Sequence, residues 1–198
     1  MRPKPDSECD SVGAEFMALP STLYRFRIEL ADVERGVYEP LDFRIAQHPS
    51  ETPTFLLTRV LAYALNTEPG LAFSPGGLSD PDEPALLAKD ENGGVRLWIE
   101  IGNPSAKKVH RATKSARSVR IYTYKDPEIL ISDLRSNTVF GREKIEIYSL
   151  SPRFLERLSE KLARDNTWNL LLSDGTLTVS VGDTSDSTDL VKHHASDQ

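Results

Sequence analysis

Glu100 is the single acid in the run "VRLWIEIG" (95–102), and the eighteen residues from Asn103 to Arg120 carry six cations and no acid: Lys107, Lys108, Arg111, Lys114, Arg117 and Arg120. Two-residue alternation puts Val95, Leu97, Ile99 and Ile101 on one strand face and Arg96, Trp98, Glu100 and Gly102 on the other. The carboxylate therefore stands beside an indole near the strand end. Upstream, "SDPDEPALL" brings Asp80, Asp82 and Glu83 to the entry of the neighbouring strand of a hairpin, which directs Asp82 toward Glu100. Two converging carboxylates, with a backbone carbonyl such as that of Ile101, are hard oxygen ligands suited to Mg²⁺ or Mn²⁺. Such a metal polarises a phosphate and activates water. Lys107, Arg111 and Lys114 are spaced to share one helix face, a surface for nucleic-acid phosphates. Each feature also has a plainer reading. Glu100 would be a rim acid paired with Arg96 or with the following helix, and the basic stretch a solvated face.

Pro81-Asp82 followed by Glu100-Ile101-Gly102 resembles the PD-(D/E)XK nuclease signature, with Gly102 where that superfamily has its lysine. More broadly, "LYRFRIELADVERGVYE", "AQHPSETP", "RVLAYAL", "GLAFSPGGLSDPDEPAL", "LWIEIGNPSAKKVHRA" and "IYTY", in that order, resemble the bacterial YaeQ family over about Met17 to Val181. The resemblance implies a variant restriction-endonuclease-like core in a family without an established activity, with a polar pocket of Gln47, Glu51, Asp82 and Glu100. Glu51 matches the extra acid that many such nucleases place on the first helix, although an acid there also favours the helix dipole. His48 is a candidate general base, against the simpler reading of a surface histidine before Pro49. Lys89, Lys107 and Lys108 are candidates to replace the missing lysine. Neighbouring helix positions point about 100° apart, so only one of Lys107 and Lys108 faces the carboxylates, and Lys108 is preferred.

The elements that must position these residues follow from periodicity. Tyr24, Phe26, Ile28 and Leu30 alternate with polar residues, as do Leu41, Phe43 and Ile45, which predicts an antiparallel hairpin across the turn-like "ADVERGVYEP". Ser50 is the expected N-cap of a helix carrying Leu56, Leu57, Val60, Leu61, Ala64 and Leu65 on one face. "EPGLAFSPGGLSDPDEP" reads as a loop, and its double glycine lacks the Gly-Lys-Ser/Thr of a P-loop. "PALLAKD" and "VRLWIEIG" form a second hairpin around "DENGG". Asn103-Pro104 is read as opening a helix to about Arg117. "SVRIYTY" and "KIEIYSL" are strands, Ser151-Pro152 opens a further helix, and Asp174-Gly175 turns a last hairpin, "WNLLLSDGTLTVSV". The expected class is α/β (α+β): a mixed sheet flanked by helices, a restriction-endonuclease-like core with added β-hairpins.

The 198-residue chain is 38% hydrophobic and 27% charged with net charge −6, which gives it no global attraction to nucleic acid and makes local cation clusters decisive. Cys9 is the only cysteine, excluding an intrachain disulfide and a thiolate metal cluster. No stretch approaches the roughly 20 apolar residues of a membrane span, there is no secretory apolar segment, and cytoplasm is the expected compartment. Residues 1–16 are expected to be a disordered extension, with Met17 an alternative start, 17–182 the folded domain, and 183–198 a disordered tail in which His193 and His194 bind metal at most adventitiously. Gly-x-Ser-x-Gly is absent, which removes support for a serine-hydrolase triad. Two functions remain: a Mg²⁺- or Mn²⁺-dependent phosphodiesterase with Asp82 and Glu100 as metal ligands, or a non-catalytic module that binds nucleic acid or a protein of the transcription or repair machinery.

Overall fold

A computed structural model describes residues 21–75, 80 and 82–195. The N-terminal extension, Cys9, Met17 and the double glycine of the loop lie outside these.

Strand β1 (Thr22–Asp32) pairs antiparallel with β2 (Val37–Gln47), with Phe26 opposite Phe43 and Tyr24 opposite Ile45. This is the expected hairpin. Strands β8 (Asp165–Ser173) and β9 (Thr176–Val181) meet at Asp174-Gly175, both at positive φ, as a two-residue hairpin turn requires. With β10 (Thr184–Asp189) they form a five-stranded sheet of order β10-β9-β8-β1-β2, in which β1 and β8 run parallel. The second sheet contains β3 (Leu71–Phe73), β4 (Leu86–Lys89), β5 (Val95–Ile101), β6 (Ala116–Thr123), β7 (Ile145–Ser149) and β11 (Val191–His194), in the order β11-β7-β6-β5-β4-β3. Strands β5, β6 and β7 run parallel, and the others pair antiparallel. Among the described residues four α-helices complete the fold: α1 (Pro53–Ala64), α2 (Ala106–Ser115), α3 (Pro127–Ser136) and α4 (Pro152–Glu160).

The class is mixed α+β, but one expected sheet is two, and strands Thr184–Asp189 and Val191–His194 lie in the segment expected to be a disordered tail. Composition misleads there because edge strands need little apolar surface. Strand β10 is held by its backbone ladder and by hydroxyl pairs, Thr178 with Ser187 at 2.9 Å and Ser180 with Ser185 at 2.8 Å. Two helix starts also shift. Thr52, not Ser50, caps α1, accepting from the Phe55 N–H at 3.2 Å with Pro53 next in line. Ser105, not Asn103, caps α2, which ends at Ser115 where β6 begins directly. Strand β3 lies inside the segment read as loop. Helix α3 was not anticipated.

Two cores divide the alternating residues of β5. Leu97, Ile99 and Ile101 join α1, α4 and the inner face of the first sheet, with Phe26, Leu57, Phe154 and Trp168 at the centre. Trp98 faces the opposite way, into a second core with Val109 and Ala112 of α2, Ile121 of β6 and Leu130 and Leu134 of α3. A strand buried on both faces reads as a nearly continuous apolar run. That is why Glu100 stands out in it: its side chain shares the Trp98 face, under α2. Among the described residues no helix is long and apolar enough to cross a membrane.

Candidate functional site

Glu100 is 3% exposed, and both carboxylate oxygens are engaged: Oε1 accepts from the Trp98 indole Nε1–H at 2.8 Å and Oε2 from the Lys108 ammonium at 2.9 Å. The indole reaches it because residues i and i+2 share a strand face. Lys108 reaches it because α2 folds back over β5 immediately after Ser105. Lys107, one position earlier, is exposed, in keeping with the angular offset of neighbouring helix residues. Gly102, where the signature would place a lysine, has φ +79°, a left-handed conformation that a lysine adopts only with strain. The turn out of β5 thus excludes the strand position, and the helix supplies the cation.

Burial pushes the Glu100 carboxyl above its ordinary range, while the Lys108 charge and the Lys108 and Trp98 hydrogen bonds pull it part of the way back. Between the unfolded value, about pH 4.3, and the elevated folded value, the folded state retains a proton that the unfolded chain has released. Relative to Glu100→Gln, the wild-type advantage in unfolding free energy should be complete below about pH 4.3 and decline as pH rises through the elevated folded value. Urea titrations across that interval check this, and a rising advantage would contradict it.

Asp82 is exposed and pairs with Arg111, one helical turn beyond Lys108, while its own N–H is held by the Asp80 carboxylate at 2.8 Å. Glu100 and Asp82 are thus engaged by adjacent turns of one helix. Among the described residues no three His, Cys, Asp or Glu side chains converge as a metal cage. Mg²⁺ needs no such cage, since it binds through one or two carboxylates completed by water and substrate phosphate. Asp82 and Glu100 offer oxygen donors of that kind, each paired here with a cation of α2.

The remaining candidates separate from this pair. Glu51 precedes α1 instead of lying in its first turn; its side chain is fully buried against Arg59, whose Nη1 is 2.9 Å from Oε1, and it accepts the His48 N–H at 3.0 Å. Arg59 also lies 5.4 Å above the Phe73 ring. This pair belongs to the α1 side of the sheet, opposite α2. Gln47 donates to the Glu51 carbonyl at 2.8 Å, and the His48 Nδ1 sits 2.7 Å from the Ser50 hydroxyl. Lys89 is opposite Val95 at the bulged end of β4, five positions along β5 from Glu100, or about 17 Å. It does not replace the missing lysine. Arg96 pairs with Glu68, not with Glu100. Lys107 and Lys114 form the exposed crest of α2, and Arg111 lies on its Asp82 flank. Strand alternation places Trp98 beside Glu100 without marking it as a donor, and the Arg59 counter-ion was not foreseen. The first was legible from strand parity, and the second from a lone cation on the apolar side of α1, where Leu56, Val60 and Ala62 are buried with it.

The family model described as "YaeQ protein" matches residues 17–190. The uncharacterised YaeQ protein of Escherichia coli (strain K12) is 28% identical over 166 residues, covering 83% of this chain and 91% of the relative. The crystal structure of the YaeQ protein from Pseudomonas syringae superposes with a TM-score of 0.81 at 32% identity, covering 88% of this chain and 97% of that one. That of the YaeQ protein from Xanthomonas axonopodis pv. citri gives a TM-score of 0.82 at 28% identity, covering 89% and 100%. With residues 17–190 matched by the family model and 88% of its length covered by a solved relative at 32% identity, the chain belongs to the YaeQ family.

Proposed function

We propose that the Glu100 pocket is the site of a Mg²⁺- or Mn²⁺-dependent phosphodiesterase acting on nucleic acid, built on a PD-(D/E)XK-type core. The order α1-β3-β4-β5-α2-β6, with β3 to β5 an antiparallel meander and β6 parallel to β5, supports that core. The observation that carries the reading is the Lys108 ammonium 2.9 Å from the Glu100 carboxylate. It restores from a helix the acid and lysine pairing that Gly102 removes from the strand.

In this reading Glu100 and Asp82 hold the metal, which when bound supplies Lewis-acid polarisation of a phosphoryl oxygen. Lys108 offsets the charge that builds on the phosphate, beside the buried Trp98 indole. Arg111, Lys107 and Lys114 fix the nucleic-acid backbone along α2. Glu51 takes no part, being committed to Arg59. Mn²⁺ titrated calorimetrically into the wild type should show one site, weakened by more than about 10-fold in both Glu100→Ala and Asp82→Ala. No binding, or binding indifferent to both changes, would sink the enzyme reading.

A second reading is favoured by the pairing itself, because Glu51, Asp82 and Glu100 each already have a cation of their own. A pocket neutralised from within suits a non-catalytic module for nucleic acid, or for a protein of transcription or repair. That module would bind oligonucleotides through α2, with affinity falling steeply as salt rises, and would leave them intact.

A further inference from the structure

Phe140 is 58% exposed, yet it is fixed against helix α2 from both sides. Its backbone N–H donates to the His110 Nδ1 at 3.2 Å, which requires that nitrogen to be unprotonated. Beyond it Gly141 turns through a left-handed φ of +67°, and Lys144 donates to the Thr113 carbonyl at 3.2 Å with its ammonium 5.6 Å from the Phe140 ring centroid. Val139, the preceding residue, is buried in the second core. The ring is therefore presented to solvent by an anchored turn, not by a loose tip.

Its neighbourhood is cationic. His110 lies three residues after Lys107 and four before Lys114, so the ring sits alongside the exposed crest of α2. The turn itself, Arg142–Lys144, carries two cations to one acid. Asp133 of α3 is engaged within the chain, accepting the Ala106 N–H at 3.2 Å and the Asn137 amide at 3.0 Å. An exposed aromatic face beside a row of cations is the arrangement that takes a base by stacking while neighbouring charges hold the phosphates. In a duplex the base faces are covered by their neighbours, so only an unpaired base can use the ring.

We infer that Phe140 is a stacking platform for an unpaired base, and that the ligand of this surface is single-stranded or locally opened nucleic acid. The inference rests on the nucleic-acid part of the reading above and assigns its substrate class. Lys108 and Arg111 face one flank of α2 and Phe140 the other, so a strand crossing the Lys107 and Lys114 crest reaches both.

Fluorescence anisotropy with a labelled single-stranded oligonucleotide, and with the duplex of the same sequence, tests it on the full chain. Phe140→Ala should weaken single-strand affinity by about 5- to 150-fold and leave the duplex and the salt slope unchanged. Phe140→Trp should retain affinity, and its added fluorescence should be quenched on binding. Lys107→Ala with Lys114→Ala should weaken both ligands and flatten the salt dependence. Unchanged single-strand affinity in Phe140→Ala, with loss in the lysine variant, would overturn the stacking inference and keep the nucleic-acid reading. An equal loss on both ligands would also overturn it. No wild-type binding to either oligonucleotide would overturn both, and would point to a protein partner for the exposed Phe140.

Discussion

Arg59→Ala is expected to lower the unfolding free energy by about 3–5 kcal/mol, the largest stability effect of any polar substitution in this fold. The guanidinium is 6% exposed and the Glu51 carboxylate it serves 0% exposed, so removing the cation strands a charge that water cannot reach. The His48 N–H remains to that carboxylate but cannot neutralise it. The loss of the Arg59 contact with Phe73 adds to the cost. Replacing both partners by uncharged groups, Glu51→Gln with Arg59→Met, should recover most of the stability, because the desolvation penalty leaves with the charges. Urea unfolding at neutral pH measures both. A loss below about 1 kcal/mol in Arg59→Ala would mean that the pair behaves as a surface bridge. The same experiment bears on function. The family resemblance casts Glu51 as a site acid, whereas its burial against Arg59 predicts that Glu51→Gln changes stability and leaves the activity per folded molecule unaltered.

Lys108→Ala is expected to reduce metal-dependent cleavage by about 10²- to 10³-fold, the scale of removing one preorganised donor from the charge that develops in a transition state. Lys108 is half-buried, next to a carboxylate whose pKa burial raises, so the proposed reading gives it two roles. On that reading it counters the upward shift that burial gives Glu100, favouring the ionised ligand form, and it stands where the phosphate would gain charge. Lys108→Arg should not rescue fully, since a planar fork does not fit the place of a compact ammonium. The two roles separate by pH: if Lys108 acted only through Glu100 ionisation, raising the pH would restore Lys108→Ala, and the phosphate role predicts that it does not.

Much of this arrangement was legible because it rests on periodicity. Strand parity alone put Glu100 on the Trp98 face, and helical spacing separated Lys108 from Lys107. The hairpins β1-β2 and β8-β9 followed from alternation and from Asp174-Gly175. Other features depend on what the chain meets in three dimensions. The division into two sheets turns on β1 pairing with β8, strands that lie far apart in the chain. Strand β3 has three residues and lies inside a segment whose Gly and Pro content reads as loop. Strands β10 and β11 are rich in Ser, Thr, Asp and His because edge strands are satisfied by backbone pairing. In the site, the distance that removes Lys89 is set by the register of β4 on β5, and no local pattern encodes it. Glu51 stands at a position that the family resemblance marks as a site acid, and there it is paired with a buried Arg59 that the position alone does not announce.

The central claim, that Glu100 with Lys108 serves metal-dependent phosphodiester cleavage, is tested most directly by single-turnover degradation of end-labelled oligonucleotides in Mn²⁺ by the wild type and Glu100→Gln. The account predicts Mn²⁺-dependent product from the wild type and a fall of about 10²- to 10³-fold in the variant at equal folded fraction. Intact substrate with the wild type, or product that forms equally well in Glu100→Gln, would contradict it.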